Sequence, residues 1–187
     1  MATRLTFLCA AATASSRTGA FPCTGEPLDG GGRRKASDFD RSRHADVVVS
    51  SPSRSAIETT GALGLDARIE SCLADLDYGE WAGRSIADIQ ATSPDQLGEW
   101  FADPTRAVPG GETMEHLLGR VGAWMDRQLG NVPATLIVSH ASVMRAALAH
   151  ALAMPLASAL QIDIAPLATL DFSHNGRWRL QELRRRP

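Results

Sequence analysis

Residues 4–10 (RLTFLCA) form a mostly apolar run with β-branched and aromatic members, the pattern of a strand buried on both faces. Two further runs of this kind lie at 46–50 (DVVVS) and 134–139 (ATLIVS), and a short strand is expected near 67–70. Residues 14–32 are rich in Ser, Thr, Gly and Pro and end in Gly30-Gly31-Gly32, which reads as a loop. Helices are expected around 33–39 and over 53–60, with Gly61 and Gly64 available to end the second. Short helices at 86–90 and 94–101 follow Ser85 and Ser93, each able to cap its helix. The strongest helical pattern runs over 112–129, where Met114, Leu117, Leu118, Val121, Trp124, Met125 and Leu129 form one apolar stripe, read as core packing. Another helix, 141–152, starts directly after the third long strand. The tail, 167–183, alternates polar and apolar residues around Asn175-Gly176, a two-residue hairpin signal.

Strands alternating with helices predict an α/β fold of three layers, α/β/α, with a mostly parallel central sheet and a C-terminal β-hairpin. A chain of 187 residues can bury one good core but not two ordinary ones, so 1–187 is read as a single domain. The net charge of −2 gives no pull towards nucleic acid or an anionic membrane. Lys35 is the only lysine, and this arginine excess is read as compositional drift rather than phosphate recognition. Cys9, Cys23 and Cys72 show no C-x-x-C pair or Cys/His cluster, so neither a metal nor a cofactor is expected, and three reduced thiols suit a cytoplasmic protein. No apolar run approaches the ~20 residues that cross a bilayer. Arg4 followed by the apolar stretch Leu5 to Ala12 resembles a short export signal. Cleavage there would remove the first strand, so the segment is assigned to the fold.

Three strands end just before loops or helices, at Cys9-Ala10-Ala11, Ser50-Ser51-Pro52 and Ser139-His140-Ala141. In open α/β sheets ligands bind outside the carboxyl ends of the strands, where helix N-termini aim backbone N–H groups at an anion. That arrangement suits phosphate.

Longer motifs then appear in order: Pro27-Leu28-Asp29 with Gly32-Arg33-Arg34-Lys35-Ala36, Ser50-Ser51-Pro52-Ser53-Arg54-Ser55-Ala56-Ile57-Glu58-Thr59, Leu73-Ala74-Asp75-Leu76-Asp77-Tyr78-Gly79-Glu80-Trp81-Ala82-Gly83, Pro109-Gly110-Gly111-Glu112-Thr113 and Val138-Ser139-His140-Ala141. Over nearly the whole chain this series resembles the histidine phosphatase (phosphoglycerate mutase-like) superfamily. That family carries R-H-G-x-T at its first strand end, then S-S-P-L-x-R-A, L-x-E-x-x-F-G-x-W-E-G, P-G-G-E-S and V-x-S-H-G. The resemblance implies a phosphoglycerate mutase-like fold and phosphatase or phosphomutase ancestry.

The first motif departs from the pattern. With Thr13 on the family threonine, Cys9, Ala10 and Ala11 replace arginine, histidine and glycine. The family histidine attacks phosphorus and carries the phosphoryl group, which the methyl of Ala10 cannot do. The arginine before the family alanine is Ser55 here, with Arg54 one residue early, a rotation of about 100° on a helix. Arg54 is therefore either a phosphate ligand or a solvated residue, and Arg17 is a candidate substitute clamp from the loop. The resemblance places His140 as the second pocket histidine and Asp75 as the proton donor, one methylene shorter than the usual glutamate. Asp77 and Glu80 are alternative acids. Glu112 matches a family glutamate near the pocket, and Thr13 and Ala141 complete the substrate-binding set. Tyr78 and Trp81 are read as packing.

Two missing arginines weaken phosphate holding by ~3–6 kcal/mol, two to four decades of affinity. Loss of a covalent nucleophile has cost about six decades of turnover in a serine protease. Conventional phosphohistidine catalysis is therefore not expected. The first reading is a catalytically impaired or inactive relative that binds a phosphorylated small molecule, another anion or a protein partner. The alternative is an active phosphomonoester phosphatase with a site rearranged around His140 and Asp75. Cys9 as a replacement nucleophile is disfavoured, because no nearby cation would lower its pKa.

Overall fold

The computed structural model describes residues 3–40, 45–130 and 134–185. Strand β1 (Thr3–Cys9) sends Leu5, Phe7 and Cys9 to one face and Leu8 to the other, with all four buried. Such two-sided burial needs neighbours on both edges. It has them: β4 (Thr135–Ser139) pairs with it in parallel and β5 (Thr169–His174) antiparallel. With β2 (Val47–Ser50), β3 (Arg68–Ile69) and β6 (Trp178–Arg184), the six-stranded sheet runs in the order β3-β2-β4-β1-β5-β6. Four strands are parallel and the hairpin is antiparallel to its neighbour, so the mostly parallel sheet expected from sequence is found.

Helices cover both faces. On one side α6 (Met114–Arg127) and α7 (Ala141–Leu152) bury Leu117, Val121, Met125, Val143 and Ala147. Phe7 meets Trp124 and Phe172 edge-on there, at ring-centre distances of 6.4 and 5.8 Å. On the other side α2 (Gly30–Ser37) and α3 (Arg54–Ala62) bury Ala36 and Ala56 against Leu8 and Val138. A separate cluster of Phe21, Trp81, Ile89, Leu97 and Val108 is closed by α4 (Ile86–Thr92) and α5 (Pro94–Ala102). Trp81 is thus packing, as expected. Among the described residues no helix is long and apolar enough to cross a membrane.

Several element boundaries differ from the sequence reading for local reasons. Residues 14–32 hold α1 (Ala14–Thr18), because Thr13 and Ser16 form a reciprocal capping box. Helix α2 begins at Gly30 rather than Arg33, because Asp29 accepts the Gly32 N–H at 2.6 Å. Gly61 lies inside α3, and the chain turns at Gly64, whose φ is +66°. Ser85 caps α4, but Ser93 makes no capping bond to α5. Thr113 caps α6, so the helix starts at Met114, and it ends at Arg127 with Gln128 as its C-cap, before Leu129. A further helix, α8 (Leu156–Leu160), follows α7. The hairpin turn has three residues, 175–177, with Gly176 at positive φ.

Candidate functional site

The carboxyl ends of β1, β2 and β4 open into a cavity of about 440 Å³. Its wall includes Cys9, Ala10 and Ala11 from the end of β1, Thr13 and Ser15 at α1, and Ser53 and Ser55 at the start of α3. His140, Ala141, Ser142 and Arg145 enter from the first turns of α7, and Asp75 from the irregular segment after β3.

His140 sits where strand gives way to helix, and its imidazole is held on both sides. Its Nε2 lies 2.7 Å from Ser53 Oγ and 3.0 Å from Ser51 Oγ, while Nδ1 lies 3.5 Å from Asp75 Oδ2. Asp75 is anchored in turn by the Ser142 hydroxyl and by the Leu76 N–H at 2.8 Å.

Behind Asp75 the backbone is clamped from two directions. Arg120 donates to the carbonyls of Cys72, Ala74 and Asp75 at 2.8, 2.9 and 3.0 Å, and grips both oxygens of Glu112 at 2.7 and 2.8 Å. Further along, segments 77–80 and 109–112 run backbone to backbone. Glu80 N–H donates to Pro109 O and Glu112 N–H to Asp77 O. A Cβ on Gly79, whose φ is +46°, would stand 2.3 Å from Pro109 O. Only glycine fits.

The electrostatics turn on a few groups. Among the described residues Arg145 is the one arginine or lysine in the lining, and its Nε donates to Ile162 O at 2.9 Å. Glu26, Asp75 and Asp77 line the same cavity. Burial, with the Asp75 charge added, pushes the Cys9 thiol up to about 12, so it is protonated and unreactive at neutral pH. The same two causes raise Tyr78.

Of the residues singled out from sequence, Ala10, Thr13, Ser55, Asp75, His140 and Ala141 are brought together at the cavity. Arg17, Arg54 and Glu112 are not. Arg17 pairs with Asp29, whose carboxyl falls to about 2 through that bond and the Gly32 N–H. Arg54 donates to Glu58 at 2.8 Å, one helical turn on. Burial works to raise Glu58, but bonds from Arg54 and the Leu28 N–H, with the Arg33 charge, hold it below its usual value. Glu112 is occupied by Arg120 and acts behind the wall. Sequence reasoning passed over Ser53 and Arg145. The signal for Arg145 was its place four residues after Ala141, hence on the same helix face. Ser53 had no such signal. Among the described residues no group of three or more His, Cys, Asp or Glu is arranged to hold a metal ion.

A family model, the histidine phosphatase superfamily (branch 1), matches residues 5–185. The chain belongs to this superfamily. Among curated members, a bifunctional protein of Mycobacterium tuberculosis is 33% identical over 138 residues, covering 70% of this chain and 38% of its own length. The chain thus spans little more than a third of that relative. Phosphoserine phosphatase 1 of Hydrogenobacter thermophilus is 27% identical over 110 residues, covering 55% of this chain and 52% of the relative. Among solved members, the mycobacterial glucosyl-3-phosphoglycerate phosphatase in complex with VO3 superposes with a TM-score of 0.83 at 25% identity, covering 96% and 97% of the two chains. A putative alpha-ribazole-5'-P phosphatase of Escherichia coli gives 0.88 at 21% identity, covering 98% and 96%. The superfamily's phosphoglycerate mutase-like fold is the fold of this chain.

Proposed function

We propose that this chain does not run a phosphohistidine reaction, and that its strand-end cavity binds a phosphorylated small molecule or another anion of low charge. One observation carries the reading. The end of β1, facing the cavity, offers Cys9, Ala10 and Ala11, and the one sulfur among them is a buried, protonated thiol. Ala10 stands where the family motif has its nucleophile. Anion binding is supported by Arg145 and by the open N-termini of α3 and α7, neither of which has a side-chain cap bond. Glu26, Asp75 and Asp77 on the same wall oppose a second negative charge, so phosphate binding is expected to be weak.

The test is hydrolysis of an aryl phosphate by the purified protein and by His140→Ala, with a titration of inorganic phosphate and vanadate alongside. The expected results are background turnover in both proteins and weak binding that Arg145→Met abolishes. Placing Cys9→Arg, Ala10→His, Ala11→Gly and Ser55→Arg together should create aryl phosphatase activity. A rate in the unmodified protein that collapses in His140→Ala would refute the proposal. It would favour the second reading, a rearranged phosphomonoesterase, for which the 3.5 Å approach of Asp75 to His140 speaks.

A further inference from the structure

Ser53 is the N-cap residue of α3, with extended backbone at φ −68° and ψ 147°, yet its side chain makes no capping bond. A serine in that position ordinarily turns its Oγ to the N–H of the second or third helical residue. Here the Oγ has swung to His140 Nε2, 2.7 Å away. Two consequences follow. The N–H groups of Ser55 and Ala56 are left without a partner among the described residues, close beside that oxygen. And Ser53 Oγ and Asp75 flank the His140 ring, Oγ 2.7 Å from Nε2 and Asp75 Oδ2 3.5 Å from Nδ1, near enough to pair with the ring once it is protonated. The Ser51 hydroxyl, 3.3 Å from Ser53 Oγ, is placed to donate to it.

A hydroxyl nucleophile, an imidazole base, an orienting carboxylate and unpaired N–H donors beside the nucleophile are the parts of a serine acyl-transfer site. We infer that Ser53, His140 and Asp75 form a serine hydrolase-type relay that cleaves small carboxylic esters. This rests on the reading above that β1 contributes no nucleophile, and it assigns the same cavity a different reaction. A carboxylic ester fits better than a phosphate because its reacting carbon carries no charge. Glu26, Asp75 and Asp77 outnumber Arg145 on the wall, which penalises a phosphoryl dianion but not a carbonyl.

In the first step Ser53 Oγ attacks the carbonyl carbon as its proton passes to His140 Nε2. Asp75 holds the imidazolium through Nδ1, and the Ser55 and Ala56 N–H groups face the developing oxyanion. The C–O bond then breaks and the alcohol leaves with the proton from His140. Water, giving its proton to His140, attacks the acyl carbon. The acid departs and the proton returns to Ser53.

The experiment pairs an activity with a covalent label. Wild-type protein is assayed with p-nitrophenyl acetate and, in parallel, p-nitrophenyl phosphate, and treated with a fluorophosphonate followed by peptide mapping. The expected result is ester turnover that falls to the buffer background in Ser53→Ala and in His140→Gln, with the label on Ser53. The alanine variant should fold, since α3 draws no capping bond from Ser53. Absence of ester turnover and of label in the wild-type protein overturns the inference, whatever the variants do. So does ester turnover that survives in Ser53→Ala, or a label on any other residue. The phosphate arm reports separately: His140-dependent phosphate release refutes the proposal of lost phosphohistidine-type turnover, whereas silence with both substrates refutes only the esterase.

Discussion

Replacing Arg120 by methionine tests whether the wall carrying Asp75 is held by one guanidinium. Arg120 is about one-fifth exposed and Glu112 one-tenth, so the pair lies out of bulk water. Removing one partner of such a pair leaves the other desolvated and costs ~3–5 kcal/mol. The three carbonyls that Arg120 also serves, those of Cys72, Ala74 and Asp75, lose charged donors at the same time. A loss of about 4 kcal/mol is therefore expected for Arg120→Met. At roughly 2–4 °C per kcal/mol for a domain of this size, the melting temperature should fall by about 8–16 °C. Circular dichroism melts of the wild type, Arg120→Met, Glu112→Gln and the double variant provide the assay. The double variant should lose less than the sum of the single losses by ~1–3 kcal/mol, because the orphaned carboxylate is gone. A drop below about 3 °C in Arg120→Met, or strict additivity, would refute the reasoning.

Four further outcomes follow from the packing and the charges. At pH 8 Ellman's reagent should label the exposed Cys23 at once and Cys9 only after denaturation. Since the Cys9 pKa is raised from 9.0 to about 12, its contribution to stability is intact below pH 9 and is lost as pH climbs towards 12, which alkaline unfolding curves will show. Asp29→Ala should cost about 1 kcal/mol through loss of the α2 cap, read as a melting shift of a few degrees. As the Asp29 pKa is lowered to about 2, that difference should be full above pH 4 and fade as pH falls through 2. Trp81→Ala empties the centre of the aromatic cluster formed with Phe21 and Trp100, at ring distances of 5.2 and 6.1 Å. A loss of ~3–5 kcal/mol by denaturant titration is expected.

The sheet was legible because β1, β2 and β4 read as nearly unbroken apolar runs, the mark of strands inside a sheet, and because α6 repeats its apolar stripe. Helix α1 was not, since it has five residues in a turn-forming stretch and is held by side-chain bonds, the Thr13–Ser16 exchange and the Glu26 carboxylate on Ser15. At the site, position was legible and direction was not. The strand ends foretold where His140 and Ala10 would meet. They did not say that Arg54 would turn to Glu58 and Arg17 to Asp29, although the four-residue spacing of Arg54 and Glu58 is visible in the chain. Ser53 reads as an ordinary helix cap, and only the three-dimensional approach of an imidazole 87 residues away gives its hydroxyl a different partner.

The seam between segments 77–80 and 109–112 bears on how anything gets in. With no side chain between the two strings of peptide units, neither can bend aside without tearing two hydrogen bonds from the other and dragging the start of α6 along. That flank of the entrance behaves as masonry. The neighbouring rim at Ala20, Pro22 and Thr24 is tied by backbone bonds as well, Phe21 to Gly83 and Arg84 and Arg54 to Thr24, so a guest too wide for this mouth is turned away.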